Sequence, residues 1–106
     1  MKIVLGSDHA GQALRQAIAE HIQQAGHEAI EVGYFGTEET KSYVVYGSKI
    51  ADTLQSGQAD LGIAICGTGI GISIATNKHD GIRAALCNNE FMARMAREHN
   101  NANVLV

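Results

Sequence analysis

Short runs of apolar, strand-forming residues alternate along this chain with longer runs in which apolar residues recur at helical spacing. Each change from one kind of run to the other is marked by Gly, Asn or Asp. Such an alternation is typical of a parallel sheet with helices packed on its faces. The pattern therefore predicts an α/β fold in which right-handed crossovers connect the strands.

Five of the runs predict strands. The first is almost continuously apolar, as is expected of a strand whose two faces are both covered. The predicted strands are residues 2–6, 28–33, 61–65, 81–86 and 102–106, and a polar loop is predicted over residues 37–42. The predicted fold class is a three-layer α/β/α, Rossmann-like domain with a five-stranded parallel sheet.

Four runs predict helices. The first extends from Gln12 to Ala25 and stops at Gly26, a usual C-terminal stop. The second covers the region from Tyr46 to Leu54, a short third begins near Gly71, and the fourth covers residues 88–99, with Asn88 or Asn89 as its cap. The side chains predicted to face the core are Leu14, Ala17, Ile18, Ile22 and Ala25, then Tyr46, Ile50, Ala51 and Leu54, and then Phe91, Met92, Met95 and Ala96.

Composition narrows the classes of function. The length of 106 residues predicts a single domain over residues 1–106. Eight Lys and Arg against 11 Asp and Glu give a net charge of -3, which disfavours nucleic acid as a partner. No apolar stretch approaches the roughly 20 residues that span a bilayer, and the N-terminal sequence turns polar too early for a secretory signal. We therefore expect a cytoplasmic protein that does not bind membranes.

The stretch AICGTGIGISIA, residues 64–75, places a thiol at the start of a glycine-rich turn. The spacing Gly67-x-Gly69-x-Gly71 matches neither GxGxxG nor GxxxxGK[ST]. Such a turn at a helix start exposes backbone N–H groups to an anion or a developing oxyanion, and the same positive field favours the thiolate of Cys66. Cys66 is thus a candidate base or nucleophile; the alternative is a buried structural thiol. Cys66 and Cys87 lack the spacing of a metal site or a disulfide framework.

Other polar residues lie at predicted strand ends, where open parallel sheets bind ligands. Asp8 and His9 follow the first strand, and Asp8 also fits the role of a helix cap. His99 precedes the fifth strand, whereas the other candidates follow a strand, so His99 is expected at the opposite edge of the sheet. It lies near Cys66 only if it comes from a neighbouring subunit. The alternative interpretation of His99 is a cation at a helix C-terminus.

Four segments, GSDHAG, ICGTGIGISIATNK, GIRAAL and HNNANVL, occur in this order over residues 6–105. Together they resemble the signature segments of the type B ribose-5-phosphate isomerases, whose superfamily includes galactose-6-phosphate isomerase. The resemblance implies a Rossmann-like fold, a homodimer or dimer of dimers with sites between subunits, and a small sugar phosphate as substrate. It also implies the interconversion of aldose and ketose phosphates through an enediolate, with neither cofactor nor metal.

The resemblance also assigns roles to individual residues. Cys66 corresponds to the base, His99 to the acid that opens the sugar ring, and Thr68 to a hydroxyl that stabilises the enediolate. The residues implied to bind substrate are Asp8, His9, Gly67, Thr68, Gly69, Ile70, Gly71 and Asn100. These residue types suit isomerisation, which needs a base that moves one proton and donors aimed at the oxygen that becomes negative.

The sequence departs from the family pattern in two places. Tyr43 is followed by Val44 where the family has proline. The family also continues beyond this point with a helical region and a basic segment that binds the substrate phosphate, so we expect a C-terminally truncated chain without those ligands. Two alternatives stay open: a galactose-6-phosphate isomerase subunit, or a catalytically inactive module that binds sugar phosphates.

Overall fold

The computed structural model describes residues 1–36, 39 and 42–106, so most of the loop predicted over residues 37–42 lies outside the described residues. The strands are β1 (Lys2–Ser7), β2 (Glu28–Glu31), β3 (Leu61–Ile65), β4 (Ala84–Ala85) and β5 (Val104–Leu105). The α-helices are α1 (Gln12–Gln24), α2 (Tyr43–Gln55), α3 (Ile70–Asn77) and α4 (Glu90–Asn100), and a 3-10 turn, His9–Gly11, precedes α1.

The five strands form one sheet in the order β2-β1-β3-β5-β4, and every neighbouring pair is parallel. The predicted α/β fold with a five-stranded parallel sheet is therefore confirmed. The last strand in the sequence, β5, lies between β3 and β4, and its Val104 is in register with both Gly62 and Ala84. Within the described residues, β4 is joined to the rest of the sheet through β5.

Strands β4 and β5 are shorter than the predicted ranges 81–86 and 102–106. The reason lies in Asn103, whose side-chain Oδ1 accepts a hydrogen bond from the Arg83 N–H (2.8 Å) and whose Nδ2 donates to the Gly81 carbonyl (2.9 Å). The Asn103 N–H also donates to the Arg83 carbonyl (2.9 Å), so a side-chain amide and a backbone bond together hold this segment before β4 begins. Residues 81–83 are held beside the sheet without extending its ladder.

One face of the sheet is covered by α2 and α3. Its core contains Val4, Tyr46, Ile50, Ala64 and Ile72, and Leu54 packs against it. The two helices approach closely at Gly47, where an added Cβ would lie 3.1 Å from Thr76 Oγ1. The face predicted for the second helix is confirmed, because Tyr46, Ile50 and Ala51 are all buried.

The opposite face is covered by α1, whose Ala19 and Ile22 pack on Leu5. Helix α4 lies over the same face farther along the sheet, since its Ala93 and Ala96 line an apolar groove together with Ile63 and Leu105. Because α4 turns its small residues toward the sheet, two side chains predicted to be inward are not. Phe91 is 64% exposed and Met92 is 39% exposed, so the predicted burial of both is wrong.

The start of α4 follows the predicted capping chemistry. Asn89 caps α4, because its Oδ1 accepts a hydrogen bond from the Met92 N–H (2.9 Å), and α3 begins at Ile70, one residue before the predicted position.

In the part of the chain that the structure describes, no helix has both the length and the apolar character to cross a membrane.

Candidate active site

The loops after β1 and β3 lie side by side at the carboxyl edge of the sheet. Ser7 and Ile65 are register partners at the ends of these strands, so the next residues, Asp8 and Cys66, occupy neighbouring positions. The turn after β1 packs directly on the end of β3, because a Cβ added at Gly11 would lie 2.6 Å from Ile65 Cγ2. The fold thus brings together the two segments predicted to carry the site.

Asp8 and His9 are held in different ways. Oδ1 of Asp8 accepts hydrogen bonds from the N–H groups of Ala10 (3.0 Å) and Gly11 (3.3 Å), which confirms the predicted cap. The exposed His9 ring meets the Tyr34 ring edge-on, with a centroid distance of 6.3 Å and an interplanar angle of 79°. Tyr34 lies in the loop after β2, so that loop contributes to the orientation of His9.

The three glycines of this loop, Gly67, Gly69 and Gly71, differ in how the surrounding structure restricts them. Gly69 precedes α3 with φ +80°, in the left-handed region, and an added Cβ would lie 2.5 Å from Leu86 Cδ1. At Gly71 an added Cβ would lie 2.6 Å from Tyr43 Cζ, so the Tyr43 ring packs on this glycine. Among the residues that the structure describes, and apart from the two chain neighbours of Gly67, no heavy atom lies within 4 Å of a Cβ added there. The fold accounts for two of the glycines and leaves open space at the third.

Thr68 closes the turn. Its Oγ1 accepts a hydrogen bond from the Ile70 N–H at 3.2 Å, which engages the first N–H of α3. An accepting hydroxyl still carries its own hydrogen, so the Thr68 O–H is available as a donor. The helix start therefore presents a hydroxyl donor beside the loop amides.

Cys66 is partly exposed and borders a cleft of about 330 Å³. The cleft is lined by residues 63–69 after and within β3, by Leu86, Cys87 and Asn88 after β4, by Leu105 and Val106, and by Leu14 and Ile18 of α1. Leu14 is 56% exposed because it faces this cleft, and Ala17 and Ala25 are exposed as well, so the predicted core position of these three side chains is wrong. Asp8 and His9 stand beside the cleft and do not line it.

His99 and Asn100 lie at the far edge of the sheet. Both are in the last turn of α4, where the Asn100 carbonyl accepts a hydrogen bond from Arg83 Nε (2.6 Å) just before β4 begins. This is the amino edge, opposite Cys66. Within one chain the structure therefore separates these two predicted site residues from Cys66, Thr68 and Asp8.

Arg15 belongs near the site and was missing from the sequence-based set. Its fully buried guanidinium binds residues at the ends of β1 and β2, as described below. The signal was present, because Arg15, Ala19 and Ile22 are spaced i, i+4 and i+7 and are the buried residues of α1. An arginine at a core position of an apolar stripe marks a buried charge that needs partners.

No metal centre is visible in the described ranges 1–36, 39 and 42–106, where three or more His, Cys, Asp or Glu side chains do not cluster as ligands would. The functional groups at the candidate site are a thiol, an imidazole, a hydroxyl and backbone amides. The fold is that of a doubly wound α/β protein with a cleft at the carboxyl ends of the strands, which is where such folds bind their ligands. Residues 3–106 match the Ribose/Galactose Isomerase family, and the chain belongs to that family.

Named relatives agree with this assignment. The chain is 45% identical over 104 residues to ribose-5-phosphate isomerase B of Escherichia coli K12, covering 98% of this chain and 69% of the relative. It is 42% identical over 105 residues to the galactose-6-phosphate isomerase subunit LacB of Clostridium acetobutylicum, covering 99% of this chain and 60% of that subunit. The predicted resemblance and the predicted isomerase class are confirmed.

Solved structures show the same fold. Ribose-5-phosphate isomerase B of Clostridium thermocellum superposes with a TM-score of 0.94 at 53% identity, covering 99% of this chain and 70% of that one. The enzyme from Thermotoga maritima gives a TM-score of 0.93 at 46% identity, covering 99% and 72%. The chain thus spans about 70% of the length of these two structures.

Proposed function

We propose that this chain interconverts ribose 5-phosphate and ribulose 5-phosphate through an enediolate, with Cys66 as the base. The observation that carries the proposal is the arrangement at the end of β3, where the thiol adjoins a glycine turn that opens α3. The open space at Gly67 gives a substrate close access to the backbone of this turn. The relatives named as ribose-5-phosphate isomerases support the choice of sugar.

Proton transfer is the step assigned to Cys66. In the open-chain aldose, the thiolate removes the proton from C2, and the electron pair moves to form the C1–C2 double bond while the aldehyde oxygen becomes negative. The thiol then returns its proton to C1 while the C2 hydroxyl passes its proton to the negative C1 oxygen, which leaves a ketone at C2 and a hydroxyl at C1. A base that faces both carbons performs both transfers.

Charge stabilisation is assigned to the turn after Cys66. The Ile70 N–H is engaged by Thr68, so we assign the enediolate oxygen to the Thr68 O–H and the other amides of residues 67–71. Donors fixed in place before the reaction stabilise the developing charge without reorganising. Asp8, held by its cap, and His9, held against Tyr34, are assigned to the sugar hydroxyls.

Ring opening is assigned to His99 of a second copy of the chain. Because His99 and Asn100 lie at the amino edge, each subunit would supply them to the carboxyl edge of its neighbour. The imidazole would protonate the ring oxygen of the furanose while a base accepts the anomeric hydroxyl proton. The active assembly in this proposal is therefore a homodimer, or a dimer of such dimers, in the cytoplasm.

A second candidate function is a role as a galactose-6-phosphate isomerase subunit, which the 42% identity to such a subunit favours. Turnover of ribose 5-phosphate and galactose 6-phosphate, measured side by side, separates the two. The third hypothesis is an inactive module that binds sugar phosphates. It predicts a calorimetric signal on titration with ribose 5-phosphate without turnover of either sugar.

Deuterium exchange tests the role of Cys66. In deuterium oxide, the protein should replace the transferred proton of ribose 5-phosphate, and NMR detects the label in the product. Cys66→Ala should slow this exchange by about 10²-fold or more, the usual range for loss of a general base. Cys87→Ala is the matched control, since Cys87 borders the same cleft and has no assigned proton-transfer role. Exchange at the wild-type rate in Cys66→Ala would remove Cys66 from the mechanism.

A further inference from the structure

Arg15 is a charged side chain with no exposed surface. A buried guanidinium is costly unless its donors are paired. Here Nε donates to Glu31 Oε1 (3.0 Å), Nη1 to Ser7 Oγ (2.6 Å) and Nη2 to the Tyr34 carbonyl (2.7 Å). All three guanidinium nitrogens are therefore committed to defined acceptors.

The acceptors share one location. Ser7 ends β1, Glu31 ends β2, and Tyr34 lies in the loop after β2, so all three are at the carboxyl edge of the sheet. The loop also closes over the guanidinium, because the Phe35 ring lies 4.9 Å from Cζ and a Cβ added at Gly33 would overlap Nη1. From its place on α1, Arg15 ties two neighbouring strand ends and one loop together.

These acceptors lead directly to the candidate site. Ser7 precedes Asp8 and His9 in the chain, and the Tyr34 ring is the edge-on neighbour of the His9 ring. The Tyr34 N–H also donates to the Ser7 carbonyl (3.0 Å). Arg15 thus holds both the segment that carries His9 and the loop against which His9 rests.

Core packing alone does not call for a charge at this position. Ala19 and Ile22 show that the same stripe of α1 is otherwise apolar, and buried ion pairs can often be replaced by apolar residues with little loss of stability. What an apolar residue lacks is the set of directional bonds to Ser7 and Tyr34. The geometry therefore favours a role in alignment over a role in stability.

We propose that Arg15 is a positioning residue that sets the orientation of His9, and with it the affinity for substrate, through Ser7 and the Tyr34 loop. The part that concerns substrate rests on the proposed function. The part that concerns His9 does not, because it is measurable in the free protein.

Three variants test the proposal. In Arg15→Met the His9 imidazole resonances should shift in the NMR spectrum of the free protein, and KM for ribose 5-phosphate should rise about tenfold with a smaller change in kcat. Arg15→Lys keeps a charged donor and should recover part of the KM. Arg94→Met, at an exposed position of α4, should leave both readouts at wild-type values.

Two results would overturn the proposal. The first is an Arg15→Met protein with a lower melting temperature but wild-type His9 resonances and KM, which would make Arg15 merely structural. If Arg15→Met does not fold, the test uses Arg15→Lys and Tyr34→Leu instead. Tyr34→Leu keeps the backbone carbonyl that accepts from Arg15 and removes only the ring beside His9. A wild-type KM in Tyr34→Leu is the second. A wild-type protein inactive on ribose 5-phosphate would refute the proposed function, while the His9 resonances still test the alignment.

Discussion

At Gly67, Gly69 and Gly71 one residue type serves three physical purposes. Gly69 satisfies a left-handed backbone and the Leu86 side chain, and Gly71 gives room to the Tyr43 ring. Gly67 meets neither constraint within the described chain. A glycine that its own fold does not require is a candidate for contact with a ligand, which is why we assign close substrate approach to this position.

Two alanine substitutions separate these purposes. Gly67→Ala should leave the thermal midpoint near that of the wild type, because its Cβ enters open space, but should raise KM for the sugar phosphate. Gly69→Ala should lose at least about 1–2 kcal/mol of stability, because an L residue is strained in the left-handed region and its Cβ meets Leu86. Urea denaturation and steady-state kinetics on both variants check the prediction. Wild-type kinetics in Gly67→Ala would show that the open space is not used.

At the scale of elements, the sequence pattern predicts what depends on periodicity and local chemistry. The central strand over residues 61–65, the buried face of α2 and the Asn89 cap all follow from signals within about one element length. The short ranges of β4 and β5 do not, because the hydrogen bonds of Asn103 span 20 and 22 positions of sequence. A side chain that bonds to a distant stretch of backbone leaves no periodic signature.

The cap of α4 provides a stability prediction at this scale. Asn89→Ala should lower the free energy of unfolding by about 1 kcal/mol, since the Met92 N–H loses its acceptor. Asn88→Ala is the matched control, because Asn88 is the neighbouring exposed asparagine and does not cap the helix. Urea titrations of the two variants give the comparison. Equal losses would mean that the cap contributes nothing beyond local backbone effects.

For the whole molecule, parts of the candidate site follow from topology alone. Parallel strands place Asp8 and Cys66 at one edge and His99 at the other, as the order of elements predicts. The three acceptors of Arg15 could not be predicted, because they come from β1, β2 and a loop whose juxtaposition only the folded sheet defines. The sequence predicts which residues lie at strand ends, whereas the groups that hold those residues in place come together only in the tertiary structure.

The proposed shared site makes a prediction about mixtures. Cys66→Ala and His99→Ala should each be inactive alone. Unfolding and refolding equal amounts of the two together should restore roughly a quarter of wild-type activity, because half of the dimers then contain one intact site of two. Turnover of ribose 5-phosphate before and after mixing measures the effect. If the mixture stays inactive while its subunits are shown to exchange, His99 does not serve a neighbouring Cys66.

The position of β5 between β3 and β4 has a consequence for synthesis on the ribosome. Until β5 emerges, a nascent chain has a three-stranded β2-β1-β3 sheet with one side of β3 unpaired, and β4 has no neighbour with which to pair. Pairing across such sequence separations is slow, and unpaired strand edges invite association with other chains. The nascent protein is thus most exposed to aggregation while β5 is still inside the ribosome, and a chaperone has most to protect during that interval.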